Sequence, residues 1–279
     1  MNLDNIIIRA LAEDIGDGDH TTKSTIPESA EGKAVLLVKA QGILCGMNVA
    51  EKVFSHVDPG LIMTNFLRDG DKISCGDIAF EVSGKISSIL QSERLVLNFM
   101  QRLSGIATAT NKLVRLTEGF SSKILDTRKT TPLLRELEKY AVRTGGGLNH
   151  RFGLYDMILI KDNHVDFAGG TVRAIDAVQQ YLQSNNKSLK IEIEVRNFSE
   201  LQQVLDHGHV DRIMLDNFST ADLKQAVELI GGRFETEASG GINENNIRDY
   251  AATGVDFISA GALTHHIQSL DMSLKAVRD

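Results

Sequence analysis

The residues able to do chemistry crowd into one stretch, ILDTRKTTPLLRELEKYAVRTGGGLNHRFGLYDMILIKDNHV, from Ile124 to Val165. It carries Arg128, Lys129, Arg135, Lys139, Arg143, His150, Arg151, Lys161 and His164. Two short apolar runs, Ile124-Leu125 and Met157-Ile158-Leu159-Ile160, lead into this basic set. Apolar runs bounded in this way read as buried parallel strands. The carboxyl ends of such strands are where α/β folds bind ligands. The planar forks of Arg128 and Arg151 suit carboxylates, and the compact charges of Lys129 and Lys161 suit phosphate. The chemistry expected is capture of a small, highly anionic molecule. Arg135 and Lys139 share a helix with Glu136 and Glu138, which reads as ordinary surface pairing. His150 alone reads as structural; beside Arg151 it becomes a candidate substrate contact. Gly145-Gly146-Gly147 reads as a bend that turns both inward.

From Lys123 onward the pattern alternates strand and helix. Strands are expected at 123–126, 157–160, 190–195, 212–215, 234–238 and 256–260, with helices at about 132–143, 169–183, 199–207, 220–230 and 243–253. Regular alternation implies a parallel sheet, closed or nearly closed into a barrel. Every strand then delivers polar or glycine residues to one rim: Thr127-Arg128-Lys129, Lys161-Asp162-Asn163-His164, Asp216-Asn217, Ser239-Gly240-Gly241 and Gly261-Ala262. Backbone N–H groups at Ser239, Gly240 and Gly241, and at Ala260, Gly261 and Ala262, can approach a phosphate closely. Glu192 and Glu194 share one parity on their strand. Glu194 and Asp216 are read as the metal and ribose side of the pocket, since buried carboxylates are costly unless paired or metal-bound. Glu192 is the candidate for a core ion pair.

Upstream the rhythm differs. Asn2 to Glu13 places Ile6, Ile7, Ala10 and Leu11 on a helical face, and Gly16 to Thr22 reads as a turn-rich loop. Lys33 to Ile86 reads as short strands and turns forming a small separate sheet. Ser92 to Leu116 is helical, with Arg94 and Arg102 along it.

The whole chain has 279 residues and a net charge of −7, from 37 acidic and 30 basic residues. That size suits one large domain or two modest ones, and the balance does not favour a nucleic-acid binder. Cys45 and Cys75 form no metal-ligand spacing and are expected as unpaired thiols. The start lacks the basic and long apolar parts of a signal peptide, and no run reaches the ~20 apolar residues of a membrane helix. A cytoplasmic protein is expected.

The motif DTRKTTP…LEKYAVRTGGGLNHRFGLYDMILIKDNH, together with the ERLVLNFMQRLSGIAT helix, resembles the quinolinate phosphoribosyltransferase family. The resemblance spans essentially the full chain. It implies an α/β protein: an N-terminal α/β sandwich domain over 1–115, joined by the segment 267–279, and an incomplete α/β barrel of about seven strands over 116–266. It implies transfer of the phosphoribosyl group of phosphoribosyl pyrophosphate (PRPP) to quinolinate with decarboxylation, giving nicotinate mononucleotide. It implies Mg²⁺ as cofactor and a homodimer in which Arg94 reaches the neighbouring subunit's site. Lys129, Glu194 and Asp216 would be the catalytic residues. Arg94, Thr127, Arg128, His150, Arg151, Lys161 and the two glycine turns would bind substrate.

Two positions depart from the family pattern. Leu133 stands where many relatives have glycine. Arg196 stands where an acidic or neutral residue is common, and by folding back it would pair with Glu194 and weaken the metal reading. Competing expectations are a paralogous protein associated with molybdate uptake, a Schiff-base aldolase using Lys129 or Lys161, and a non-catalytic phosphoribosyl-binding regulator.

Overall fold

The protein was analysed as a computed structural model that describes residues 3–277. The chain divides into two compact units, one of residues 1–111, 131–146 and 266–279, the other of 112–130 and 147–265.

The first unit begins with α1 (Leu3–Ile15) and α2 (His20–Thr25). The loop expected at Gly16 to Thr22 is partly helical, because Asp19 caps α2 by accepting the Thr22 N–H at 2.9 Å. Then come β1 (Glu31–Val38), β2 (Gly42–Ile43), α3 (Met47–Val57), β3 (Ile62–Asn65), β4 (Lys72–Ile73), β5 (Ile78–Lys85) and the 31-residue α4 (Ile86–Leu116), whose last turn lies in the second unit. Helix α3 was not foreseen, although Val49, Ala50, Val53 and Phe54 form its buried stripe.

The second unit opens with β6 (Lys123–Leu125). The chain returns to the first unit for α5 (Arg135–Thr144), which the sequence placed among the barrel helices. It then runs through β7 (Ile158–Ile160), α6 (Asp162–Ala168), α7 (Thr171–Ser184), β8 (Ile191–Val195), α8 (Phe198–His207), β9 (Arg212–Asp216), α9 (Thr220–Ile230), β10 (Glu235–Ser239), α10 (Ile247–Ala251), β11 (Phe257–Ser259) and α11 (Ala262–His265). Strand β12 (Met272–Ala276) closes the first unit's antiparallel sheet, ordered β12-β1-β5-β3.

Not all the charge in α5 is on the surface. Glu138 and Lys139 are fully buried, which corrects the surface-pairing expectation. Glu138 accepts two bonds from Arg102, at 2.9 and 2.6 Å, and one from the Thr131 N–H at 3.1 Å. Gly145 ends α5 against α4, where a Cβ would fall 2.7 Å from Thr110 Cβ, so that glycine serves close packing. Gly146, at φ +94°, makes the bend.

The second unit's parallel sheet is ordered β6-β11-β10-β9-β8-β7, six strands. A seventh member is reduced to one parallel bridge from Leu125 to Leu148, on the free side of β6. The strand β8, IEIEV, is buried along its whole length. Ile191, Ile193 and Val195 face one way, Glu192 and Glu194 the other. Register carries the second face across the sheet: Glu192 lies opposite Leu159 and Arg212, and Glu194 and Glu237 both lie opposite Met214. This face therefore mixes apolar residues with buried charge.

Candidate active site

All six strands point the same way, so their carboxyl ends form one rim. At the end of β6, Thr127 Oγ1 accepts the Lys129 N–H at 3.1 Å, and Thr264 Oγ1 donates to the Lys129 carbonyl at 2.7 Å. Those two bonds shape the Thr127-Arg128-Lys129 turn and leave the Lys129 side chain exposed. Gly261 packs closely beside it: a Cβ there would lie 3.0 Å from Lys129 Cδ and 2.9 Å from His265 Nε2, so both side chains would have to shift. Gly240 is required too, since its φ is +100° and a Cβ would meet Asn217 Cγ at 2.6 Å. Ser239 lies in register with Asp216, and Ala260 donates its N–H to the Leu125 carbonyl at 3.0 Å. Gly241 and Ala262 continue these two turns.

After β7, the Lys161 N–H donates to His164 Nδ1 at 3.0 Å, so His164 caps α6. Lys161 Nζ lies 3.9 Å from Glu194 Oε2. Burial and the nearby Asp216 charge push the Glu194 carboxyl above the usual carboxylate range, partly offset by Lys161. A carboxylate raised in this way by a second carboxylate beside it suits an added cation, and Mg²⁺ is held by one or two carboxylates when phosphate and water complete its shell. Arg196 does not fold back onto Glu194. It binds Asp166 at 2.9 and 3.0 Å and Glu200 at 2.6 and 2.9 Å.

Arg151 is buried, with Nη1 donating to the Met157 carbonyl at 3.3 Å. Burial and the adjacent Arg128 charge lower its pKa. Two guanidinium groups that repel each other in the free protein suit a dianion. His150 is held by groups of the protein. Its Nδ1 accepts the Arg151 N–H at 2.8 Å, and its Nε2 lies 2.9 Å from Glu192 and 3.4 Å from Glu237. Burial opposes the imidazolium, but the two carboxylates outweigh it and push His150 up to about 9. Burial and Glu237 likewise push Glu192 up to about 7. The ring and Glu192 therefore compete for a proton. The 2.8 Å bond decides the placement, because a protonated Nδ1 would turn its N–H on the Arg151 N–H.

Sequence reasoning missed three groups here. Asp126, fully buried, accepts the His150 N–H at 2.9 Å and the Asn149 amide at 2.5 Å. Glu237 is fully buried, and Arg212 donates to it at 3.0 Å. The available signal was a carboxylate within or ending an apolar run. Arg94 lies exposed on α4 in the first unit.

An open α/β barrel whose strand tips carry paired guanidiniums, lysines, two carboxylates and glycine turns is the frame of an enzyme for phosphorylated, carboxylated small molecules. Residues 106–275 match the family model of the quinolinate phosphoribosyl transferase C-terminal domain, and residues 19–104 match that of its N-terminal domain. The chain belongs to the quinolinate phosphoribosyltransferase family. It is 46% identical over 98% of its length to quinolinate phosphoribosyltransferase [decarboxylating] 1b of Nicotiana tabacum, covering 82% of that protein. It is 40% identical, again over 98% of its length and 93% of the other, to the probable nicotinate-nucleotide pyrophosphorylase [carboxylating] of Bacillus subtilis. Among solved structures, that of the nicotinate-nucleotide pyrophosphorylase from Francisella tularensis superposes with a TM-score of 0.91 at 42% identity, over 99% of this chain and 96% of that one.

Proposed function

We propose that the protein transfers the phosphoribosyl group of PRPP to quinolinate with decarboxylation, yielding nicotinate mononucleotide, pyrophosphate and CO2, a step of NAD biosynthesis. The observation that carries this reading is the buried Arg151 beside Arg128, a fork pair matched to adjacent carboxylates. Arg128 and Arg151 grip the two carboxylates of quinolinate. Lys129 and Lys161 bind carboxylate and pyrophosphate oxygens, and Ser239 to Gly241 with Ala260 to Ala262 cradle the 5′-phosphate. His150 stands behind the site rather than against the substrate. As pyrophosphate leaves with its bonding electron pair, Glu194 and Asp216 stabilise the positive charge on the ribose. The pyridine nitrogen bonds to the ribose carbon and becomes cationic. That ring accepts the electrons of the breaking carbon–carboxylate bond, CO2 departs, and the ring carbon takes a proton. The protein's share is positioning and electrostatics.

Glu194 and Asp216 would hold Mg²⁺, which supplies charge neutralisation at the pyrophosphate when bound. The active form is a homodimer in which Arg94 of one copy serves the site of the other, a reading supported by the exposure of Arg94 and by the family resemblance. The location is cytoplasmic, in keeping with Cys45 and Cys75 being free thiols. Among the described residues no helix is long and apolar enough to cross a membrane. Schiff-base chemistry is disfavoured because Lys129 and Lys161 are both exposed, whereas that chemistry wants a desolvated amine.

Incubation with quinolinate, PRPP and Mg²⁺, following nicotinate mononucleotide, tests the reaction; no product rejects it. Mixing inactive Arg94→Ala and Lys129→Ala proteins tests the shared site. Random exchange between dimers restores about a quarter of the sites, and no recovery rejects the shared arrangement.

A further inference from the structure

Beneath the rim lies a buried polar cluster that the reaction itself does not use. It joins Glu192 of β8, Glu237 of β10, Arg212 of β9 and His150. Arg212 donates to Glu237 at 3.0 Å, also to Glu235 at 3.0 and 3.2 Å, and lies 4.0 Å over the Phe257 ring. Its place is therefore fixed from several sides.

We infer that Glu192 and Glu237 lock the His150 ring as its neutral Nε2–H tautomer, so that Nδ1 holds the Arg151 N–H and sets the direction in which Arg151 leaves the turn. His150, Glu192 and Glu237 are thus positioning residues for the guanidinium that grips substrate. The inference rests on the proposed role of Arg151.

The geometry carries it in three steps. A backbone N–H can only donate, so Nδ1, 2.8 Å from the Arg151 nitrogen, bears no proton. The ring proton then sits on Nε2, which lies 2.9 Å from Glu192 Oε2 and 3.4 Å from Glu237 Oε2, in charge contact with both though off the line of a hydrogen bond. The other side of the same turn is pinned by Asp126, through the His150 N–H at 2.9 Å and the Asn149 amide at 2.5 Å. Three buried carboxylates thus fix three consecutive residues, Asn149, His150 and Arg151.

The same three ligand types, one imidazole and two carboxylates, are close enough together for a metal ion. The tautomer argues against one. With Nδ1 occupied, only Nε2 is left to ligate, and a metal there would need the Nε2 lone pair and a proton moved to Nδ1, against the Arg151 N–H. Arg212 already supplies the cation that Glu237 needs.

The test reads the ring directly. Protein labelled with 15N-histidine, without substrate, is recorded in two-bond 1H–15N spectra at neutral pH, and the His150 signals are assigned by their loss in His150→Gln. The expected pattern is a neutral ring with a proton-free Nδ1 and a protonated Nε2. An imidazolium pattern, an Nδ1–H pattern, or a tightly held equivalent of zinc that Glu237→Gln removes would each overturn the inference. Kinetics give the second arm. Glu192→Leu should raise the KM for quinolinate on the order of 10-fold to 10²-fold, leave the KM for PRPP nearly unchanged, and be largely rescued in Glu192→Gln. An equal rise for both substrates would mark a merely structural role and overturn it. Should Glu192→Leu not fold, the wild-type spectrum decides alone. Because that spectrum needs no substrate, a failed turnover assay would reject the proposed reaction and leave the tautomer to be judged separately.

Discussion

Replacing Arg151 separates charge from shape at the point where the proposed reaction is most exposed to test. Arg151→Lys keeps a cation but loses the fork; Arg151→Gln loses both. Each hydrogen bond to a charged partner contributes about 1.5–3 kcal/mol net. A lysine that retains one such bond of two should therefore cost about 1.5–3 kcal/mol, roughly 10- to 10²-fold in kcat/KM for quinolinate. Glutamine should cost about twice that energy, on the order of 10²- to 10⁴-fold. The free protein should respond differently. Arg151 sits in repulsion with Arg128, so its removal relieves like charge, which offsets the loss of the 3.3 Å bond to the Met157 carbonyl and of the attraction of Glu192 and Asp156. Thermal stability of Arg151→Gln should stay close to wild type, and quinolinate should no longer raise it. Initial rates with quinolinate varied at saturating PRPP, paired with melting curves with and without quinolinate, give both quantities. An unchanged quinolinate KM in Arg151→Gln, with the PRPP KM raised instead, would refute the assignment of this fork to the dicarboxylate.

Three further substitutions probe neighbouring features. Glu194→Gln should lower activity on the order of 10²- to 10³-fold yet raise the melting temperature at pH 7. The sign follows because the carboxyl is raised in the folded state: its contribution is present below the ordinary carboxylate range and is lost as pH rises through the folded value. A lower melting temperature at pH 7, or no difference between pH 7 and pH 4, contradicts this. Arg196→Ala should leave the Mg²⁺ concentration for half-maximal rate unchanged, since Arg196 is bound to Asp166 and Glu200, and a titration of rate against Mg²⁺ checks it. Leu133 is exposed and holds a φ of +68°. Relief of about 1–2 kcal/mol of left-handed strain, less about 0.5–1 kcal/mol of added chain entropy, should make Leu133→Gly melt about 1–3 °C higher. A fall in melting temperature would show that the Leu133 side chain packs usefully after all.

What could be read in the sequence was whatever repeats locally. IEIEV declares its two faces by alternation, and the strand–helix rhythm after Lys123 gave the parallel sheet and its rim. The unread parts depend on partners distant in the chain. Glu138 looks like a surface acid until Arg102 is brought against it. Glu237 and Arg212 meet only because β9 and β10 pair. The bridge at Leu148 is one residue long, so no period could announce it. The helix α3 hid among short strands because only its own buried stripe, and no neighbouring helix, marked it. Arg196 could be flagged as unusual, but which carboxylate it chose depended on Asp166 being carried over by α6.

The placement of acids explains how a protein of net charge −7 keeps a cationic mouth open to anionic reactants. Carboxylates able to reach the rim would compete with substrate for its lysines and arginines. Instead, the interior acids are engaged by groups of the protein itself: Asp126 accepts from Asn149 and the His150 N–H, Glu237 accepts from Arg212, and Glu192 lies 2.9 Å from the His150 ring. They lower the potential beneath the cations without neutralising them. Glu194 approaches a rim cation, but its 3.9 Å separation from Lys161 is too long for a hydrogen bond. Burial makes the arrangement durable, because removing one partner of such a pair leaves an uncompensated charge and costs several kcal/mol. The carboxylates are thus held where they support the cations from beneath.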